Sequence, residues 1–271
     1  MTKSLDEILD SLNNICDREV KNSEQYGIEF GTFSPNKLSA THIKCIVTSP
    51  AMNLKLVHFM KENNATLAIT LLPLVITQKS FPLSESNFEL LKALIANNIK
   101  TIRLPDEWIY SQQGSFPYFM QTLGLSDSSA SEISGILDSP LLNWVVQSLS
   151  FNDFLTNLSH LNKKWLAYPF AQEATNLSFI LEKEDFSERE LELLHEEGIN
   201  TIIGFKINSK KIPLYQKHKM NLIYISYNDY CNIALRKFAQ VLQLEVGEKV
   251  LFYPFDTKNW ISYTEHQNKG N

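Results

Sequence analysis

Glycine is scarce in this chain, with nine among 271 residues, about half the usual ~7%. No two of the nine stand at Gly-x-Gly spacing and none precedes Lys-Ser or Lys-Thr. Backbone amides cradle a pyrophosphate only where glycines let the chain approach, so neither a Rossmann fingerprint nor a P-loop is available. Cysteine is scarcer. Cys16, Cys45 and Cys231 form no Cys-x-x-Cys pair, which excludes a disulfide framework and a zinc knuckle and predicts reduced, buried thiols. No apolar run reaches the roughly 18 residues of a membrane span, and the opening residues lack a signal-peptide core, so a cytoplasmic protein without a membrane partner is expected. Excess positive charge is missing too: 25 basic against 30 acidic residues give a net charge of -5. That balance opposes a phosphate backbone and makes nucleic acid an unexpected partner. The densest basic group, Lys206, Lys210, Lys211, Lys217 and Lys219, reads as a solvated loop and helix surface. Six histidines show no His-x-x-x-His or His-Glu-x-x-His pairing, and no Gly-x-Ser-x-Gly elbow occurs; the recognisable zinc-protease and serine-hydrolase motifs are absent with them.

What is present is alternation. Ser4 with Glu7, Ser86 with Glu89 and Ser187 with Glu190 are capping boxes that open apolar periodic runs. The spacing predicts helices from Leu5 to Ile15, Met52 to Lys61, Phe88 to Ala96, Phe116 to Leu123, Glu188 to Glu196, Leu214 to Lys219 and Cys231 to Leu242. Strands are predicted at Gly27 to Gly31, Ile43 to Val47, Thr66 to Ile69, Ile99 to Leu104, Trp165 to Tyr168, Phe179 to Leu181, Thr201 to Gly204, Leu222 to Ile225 and Val250 to Tyr253. Strands alternating with helices of this length imply layered α/β sheets flanked by helices. The serine-rich stretch from Ser126 to Ser139, closed by Pro140, reads as a hinge. It divides an N-terminal α/β half, 1–130, from a C-terminal one, 131–271. Lys61 to Ile69 and Glu196 to Gly204 echo each other as helix tail, Asn-containing turn and apolar strand, a trace of two related halves.

Several stretches, in order, resemble the GTP cyclohydrolase I type 2 homologue family, also called the Ngg-interacting-factor-three-like family. Tyr26 to Gly31 is similar to its Asn-Val-Gly-Leu-Gln-Val-Gly strand, and Thr70-Leu71-Leu72-Pro73-Leu74 to its Thr-His-His-Pro-Leu motif. Ile99 to Leu125 is similar to the segment running from a His-Thr-Asn-Leu-Asp strand end to a Leu-Gly-Leu helix end. Ile202 to Lys206 resembles a Thr-Gly-Glu strand end, and Tyr224 to Cys231 the Gly-His-Tyr-x-x-Glu turn. The resemblance implies two related halves facing across a central cleft, assembled as a homo-oligomeric dimer or ring, with two divalent metal ions between the halves. Its ligand positions fall here on Leu71, Leu72, Ile109, Tyr227 and Cys231.

Leucine and isoleucine coordinate nothing, so the expectation is a divergent, metal-free member without a cofactor, a pseudoenzyme acting as an oligomeric scaffold or binding protein. One alternative is a metal-dependent hydrolase or cyclohydrolase on a nucleotide-like substrate, with hard-oxygen ligands relocated to Asp106, Glu107 and Asp229. Another is a DNA-associated regulatory protein. Trp108 and Tyr110 lie beside the former site and are candidate ring-stacking residues, core packing being the commoner use of such aromatics.

Overall fold

The structure is a computed structural model that describes residues 2–16, 27–31, 34–74, 84–105, 108, 111, 113–123, 129–133, 141–145, 149–160, 165–174, 177–179, 186–205 and 208–255. Two compact units divide it, one of Met1–Phe119 with Cys231–Asn271 and the other of Met120–Tyr230. Each is α/β and is built on a mixed sheet.

The first unit opens with α1 (Leu5–Cys16), β1 (Gly27–Phe30), α2 (Pro35–Ala40) and β2 (Cys45–Ser49). It continues through α3 (Leu54–Glu62), β3 (Leu67–Thr70), α4 (Glu85–Ala96), β4 (Lys100–Arg103) and α5 (Ser115–Thr122), which leads out of it. In the second unit come β5 (Ser129–Ile133), β6 (Leu141–Val145), β7 (Leu149–Ser150), α6 (Phe151–Ser159), β8 (Trp165–Tyr168), β9 (Glu173–Ala174) and β10 (Leu177–Phe179). It closes with α7 (Glu188–Glu196), β11 (Thr201–Gly204), α8 (Ile212–Lys217) and β12 (Asn221–Ile225). The chain returns along α9 (Tyr227–Val246) to β13 (Lys249–Phe252).

In the first unit the strand order is β1-β4-β3-β2-β13, with β1 antiparallel to β4 and every other pair parallel. Parallel strands need helical crossovers that cover the sheet, and the alternation of side chains shows how they do so here. Ile46, Leu67, Ile69, Ile102 and Val250 pack with the apolar stripes of α1 and α9, whereas Cys45, Val47 and Ala68 pack with α3 and α4. In the second unit the order is β5-β6-β10-β11-β12-β8, parallel only across β10, β11 and β12. Leu191 and Leu194 of α7 and Tyr215 of α8 are buried with Ile202 and Leu222 of the sheet.

Four helices end in one motif. Asn64, Asn98, Gly198 and Lys219 have φ of 54°, 51°, 78° and 51°. The next residue's N–H then donates back to a carbonyl in the helix's last turn: Ala65 to Met60 at 2.8 Å, and Ile99 to Leu94, Ile199 to Leu194 and Met220 to Tyr215 at 3.0 Å. Both partners of each bond are buried side chains, the hydrophobic contact that accompanies a left-handed helix exit. The turn feeds β3, β4, β11 and β12 respectively. The echo between 61–69 and 196–204 is this exit repeated, and Asn standing in for glycine accounts for part of the low glycine count.

Asn221, fully buried at the start of β12, supports the neighbouring connection. Its Oδ1 accepts the N–H groups of Phe170 (2.8 Å) and Ala171 (2.7 Å), and its Nδ2 donates to the Glu173 carbonyl (3.1 Å) and to Thr201 Oγ1 (3.2 Å).

Three sequence expectations change. Residues 126–139, read as loop, contain strand β5, which pairs antiparallel with β6. The last helix begins at Tyr227 rather than Cys231, because the polar Asn228 and Asp229 hide its first turn from an apolar count. α2, β5 and the short pair β7–β9 are too brief or too polar for periodicity to mark, whereas α6, with Phe151, Phe154 and Leu158 at helical spacing, and the apolar β6 carried a signal that the sequence reading passed over.

Two stability measurements test this account. Lys219→Gly should stabilise by about 1 kcal/mol, and by more than Asn98→Gly, because lysine tolerates a left-handed φ less well than asparagine. Chemical denaturation showing Lys219→Gly destabilised would remove the strain argument. Asn221→Ala should cost about 2–3 kcal/mol, since the half-buried N–H groups of Phe170 and Ala171 lose their acceptor together and a fully buried amide is removed; a cost below about 1 kcal/mol would mean water replaces the side chain.

Candidate metal centre

The loop after β3, where the resemblance puts two ligands, carries half-buried Leu71 and Leu72. Its polar groups are engaged by its own surroundings. Leu72 N–H donates to the Pro50 carbonyl (2.9 Å), Thr70 Oγ1 to the Leu72 carbonyl (3.2 Å) and Arg103 Nε to the Leu71 carbonyl (3.1 Å). Both oxygens of Glu29 accept from Leu74 N–H at 3.0 Å. Burial holds the Glu29 carboxyl above its ordinary range, against the opposing pull of that N–H and of Arg103.

Ile109, Tyr110, Asp106 and Glu107 lie outside the described residues. Tyr227, half-buried at the head of α9, sits edge-on against Phe205 with ring centroids 4.9 Å apart; Cys231, one turn further, is fully buried. Asp229 is 7% exposed. Together with the larger effect of burial, its charge pushes the Tyr224 hydroxyl up. Trp108 is wholly buried, donates from its indole nitrogen to the Gln113 carbonyl (2.9 Å) and packs 5.0 Å from Phe238. Its place is in the core of the first unit.

A different set of ligands converges on the second unit. Glu188, Glu192 and His218 bring two carboxylates and an imidazole nitrogen within 4.8 Å of one another. The local sequence dictates the first pair. Ser187 caps α7 by accepting from Glu190 N–H (3.3 Å), and the Glu190 carboxylate accepts the Ser187 N–H and hydroxyl, both at 2.7 Å. With Leu191 and Leu194 turned into the core, Glu188 and Glu192, four residues apart, share the exposed face. His218 is the residue at which α8 ends. Its N–H bonds the Leu214 carbonyl at 3.2 Å, and the left-handed Lys219 follows. α8 is held to the start of α7 by Lys211 Nζ, 3.2 Å from the Phe186 carbonyl, and by an ion pair between Lys217 and Glu188.

The His218 side chain is only 11% exposed, whereas Glu188 is 50% exposed. Its Nε2 is buried, has no hydrogen-bond partner among the described residues and stands 3.8 Å from Glu188 Oε1. Buried ring nitrogens normally find a partner. Ligand atoms around an ion at ~2.1 Å lie roughly 3–4 Å from one another, so the Glu188–His218 separation already suits coordination. Hydrogen bonding to Lys217, reinforced by that residue's charge, holds the Glu188 carboxyl below its usual range. Lys217 is raised in return, by its hydrogen bond to Glu188 first.

This cluster overturns the expectation of a chain without metal ligands. The metal-free pseudoenzyme scaffold, the degenerate metal site and the absence of a cofactor are corrected by three ligands brought together away from the positions the resemblance marked. Sequence reasoning had the capping box that fixes the face of α7 and the lysines on either side of His218, but did not single out His218 itself. It lacked the tertiary contact joining them.

No family model and no curated relative matches the chain. Solved structures do. Reduced HcgD from Methanocaldococcus jannaschii is 12% identical with a TM-score of 0.75, the match covering 94% of this chain and 99% of that one. A Staphylococcus aureus hypothetical protein, SA1388, is 12% identical at 0.73, with 96% and 99% covered. A Bacillus cereus protein related to NIF3 is 10% identical at 0.72, also with 96% and 99% covered. At these identities the likeness establishes a shared fold and nothing further.

The pH dependence of Glu29 is a check on the loop. Its folded pKa lies above the unfolded ~4.3, so the folded state binds the proton more tightly. The associated stability is fully present below that value and lost as pH rises through the folded pKa. Relative to Glu29→Gln, the parent should therefore lose stability as pH rises from below about 4 towards neutrality. A difference that stays flat, or grows, across that window would show that the Leu74 and Arg103 interactions outweigh burial.

Proposed function

We propose that this protein is a metal-dependent hydrolase whose ion is held by Glu188, Glu192 and His218. The observation that carries the proposal is the convergence of these three groups within 4.8 Å. Two carboxylate oxygens and one imidazole nitrogen suit a first-row divalent ion such as zinc or manganese, and disfavour copper(I) or an iron–sulfur cluster, which want thiolates. Three protein ligands leave a coordination position open, the pattern of catalytic rather than structural sites. When bound, the ion supplies Lewis acidity and lowers the pKa of a coordinated water. The chain's own contribution is positional: the turn ending α8 fixes the imidazole, and the capping box with the apolar stripe of α7 sets Glu188 and Glu192 on one exposed face. A nucleotide-like substrate and a homo-oligomeric state enter the proposal from the family resemblance, and a cytoplasmic setting from the sequence's lack of a membrane-span-length apolar run. Among the described residues no helix is long and apolar enough to cross a membrane.

Calorimetric titration of the metal-stripped protein with zinc or manganese should show one ion per chain. His218→Ala and Glu192→Ala should each weaken binding at least about tenfold, as loss of one ligand from a three-ligand site requires. If both variants bind as the parent does, the ion is held elsewhere and this site is wrong.

A further inference from the structure

We infer that Lys217 is a built-in competitor for the metal centre, occupying in the metal-free protein the carboxylate that the ion needs. The inference rests on the reading of Glu188, Glu192 and His218 as ligands and adds a residue to it.

Glu188 Oε1 is the one atom that meets both Lys217 Nζ and, at 3.8 Å, His218 Nε2. An ion drawing on that oxygen and on the imidazole would face the ammonium across a single atom. Like charges so close repel strongly, so Lys217 must swing out as the ion arrives. It is free to do so. Its side chain is 64% exposed, carries no other hydrogen bond among the described residues and sits on the last residue of a six-residue helix. The buried imidazole offers no comparable freedom, which makes it the fixed element and Lys217 the movable one. Glu192 contributes to holding the ammonium as well, its charge acting in the same direction as that of Glu188.

The competition is modest, because an exposed ion pair contributes little in water. It is also indifferent to which divalent ion arrives. Lys217 therefore lowers all affinities by one factor and raises the threshold for occupancy: ions that gain from the imidazole clear it, while those held by carboxylate charge alone fall below it. Removing the ammonium should restore that factor for every ion, and salt, which screens the pair, should shrink it.

The test is calorimetric titration of Zn²⁺ and, separately, Mn²⁺ into the metal-stripped full chain, its Lys217→Met variant and its His218→Ala variant, at 20 mM and 500 mM KCl. At low salt Lys217→Met should bind both ions about twofold to fivefold more tightly than the parent, by a similar factor for each, and the advantage should fall at high salt. Binding by Lys217→Met where the parent shows none would support the competitor in a stronger form. If the parent binds, His218→Ala does not, and Lys217→Met is equal to or weaker than the parent, the competitor is overturned while the metal centre stands. If neither the parent nor Lys217→Met binds either ion, or if His218→Ala binds as the parent does, the centre itself is overturned and the competitor with it.

Discussion

The left-handed helix exit is the constraint on which the described structure depends. A parallel strand must begin where the preceding helix leaves it, and a slip of one residue turns every side chain to the opposite face of the sheet. In four places the chain meets that requirement with the same bond, from the first buried residue after the turn to a buried residue in the last turn of the helix. Each bond fixes the register at which Leu67, Lys100, Thr201 and Asn221 enter their sheets, side by side in the pairs Leu67–Lys100 and Thr201–Asn221. The candidate metal centre inherits this precision. His218 is the residue immediately before a left-handed turn, so the backbone that sets the register of β12 also aims the imidazole.

Two regions of polar chemistry differ in kind. After β3, the groups that a ligand would meet are spent internally: backbone carbonyls accept from Arg103 and Thr70, and the Leu74 N–H is held by Glu29. At α7 and α8 the carboxylates are wet and the ring nitrogen is buried without a hydrogen bond among the described residues. Exposed carboxylates carry little desolvation cost and the buried imidazole supplies direction, which together favour binding of a small cation over a structural role.

Much of the fold was legible in sequence because its strands are parallel and buried on both faces, reading as short apolar runs such as Cys45 to Val47 and Leu67 to Ile69. Capping boxes marked α1 and α7 where the structure has them. Ser86 misled by a little, since the cap of α4 is Ser84, accepting from Asn87 N–H at 3.3 Å. What periodicity could not show was the β5–β6 edge of the second sheet, where β5 is composed of Ser129-Ala130-Ser131-Glu132-Ile133 and has a loop's composition. A strand that completes a sheet is selected by its partner's open hydrogen bonds, and these leave no local signature. The metal ligands failed to show for a related reason. Histidine pairs and Cys-x-x-Cys announce themselves because both ligands sit on one element, whereas Glu188 and Glu192 are ordinary on a helix face until His218 arrives from the end of another.

That assembly bears on how metal binding couples to folding. In small zinc modules the ligands are scattered over loops, and the ion organises them, so binding energy becomes folding energy. Here Glu188 and Glu192 are set by a capping box and an apolar stripe, and His218 by a turn whose flanking residues Tyr215 and Met220 are buried. The elements that position the ligands are thus stabilised by contacts that do not involve an ion. Only the side-chain torsions and the Lys217 ion pair remain to be reset when one binds. A centre of this kind can load and release its ion without unfolding its scaffold, which is the property a catalytic or exchanging site requires and a structural one does not.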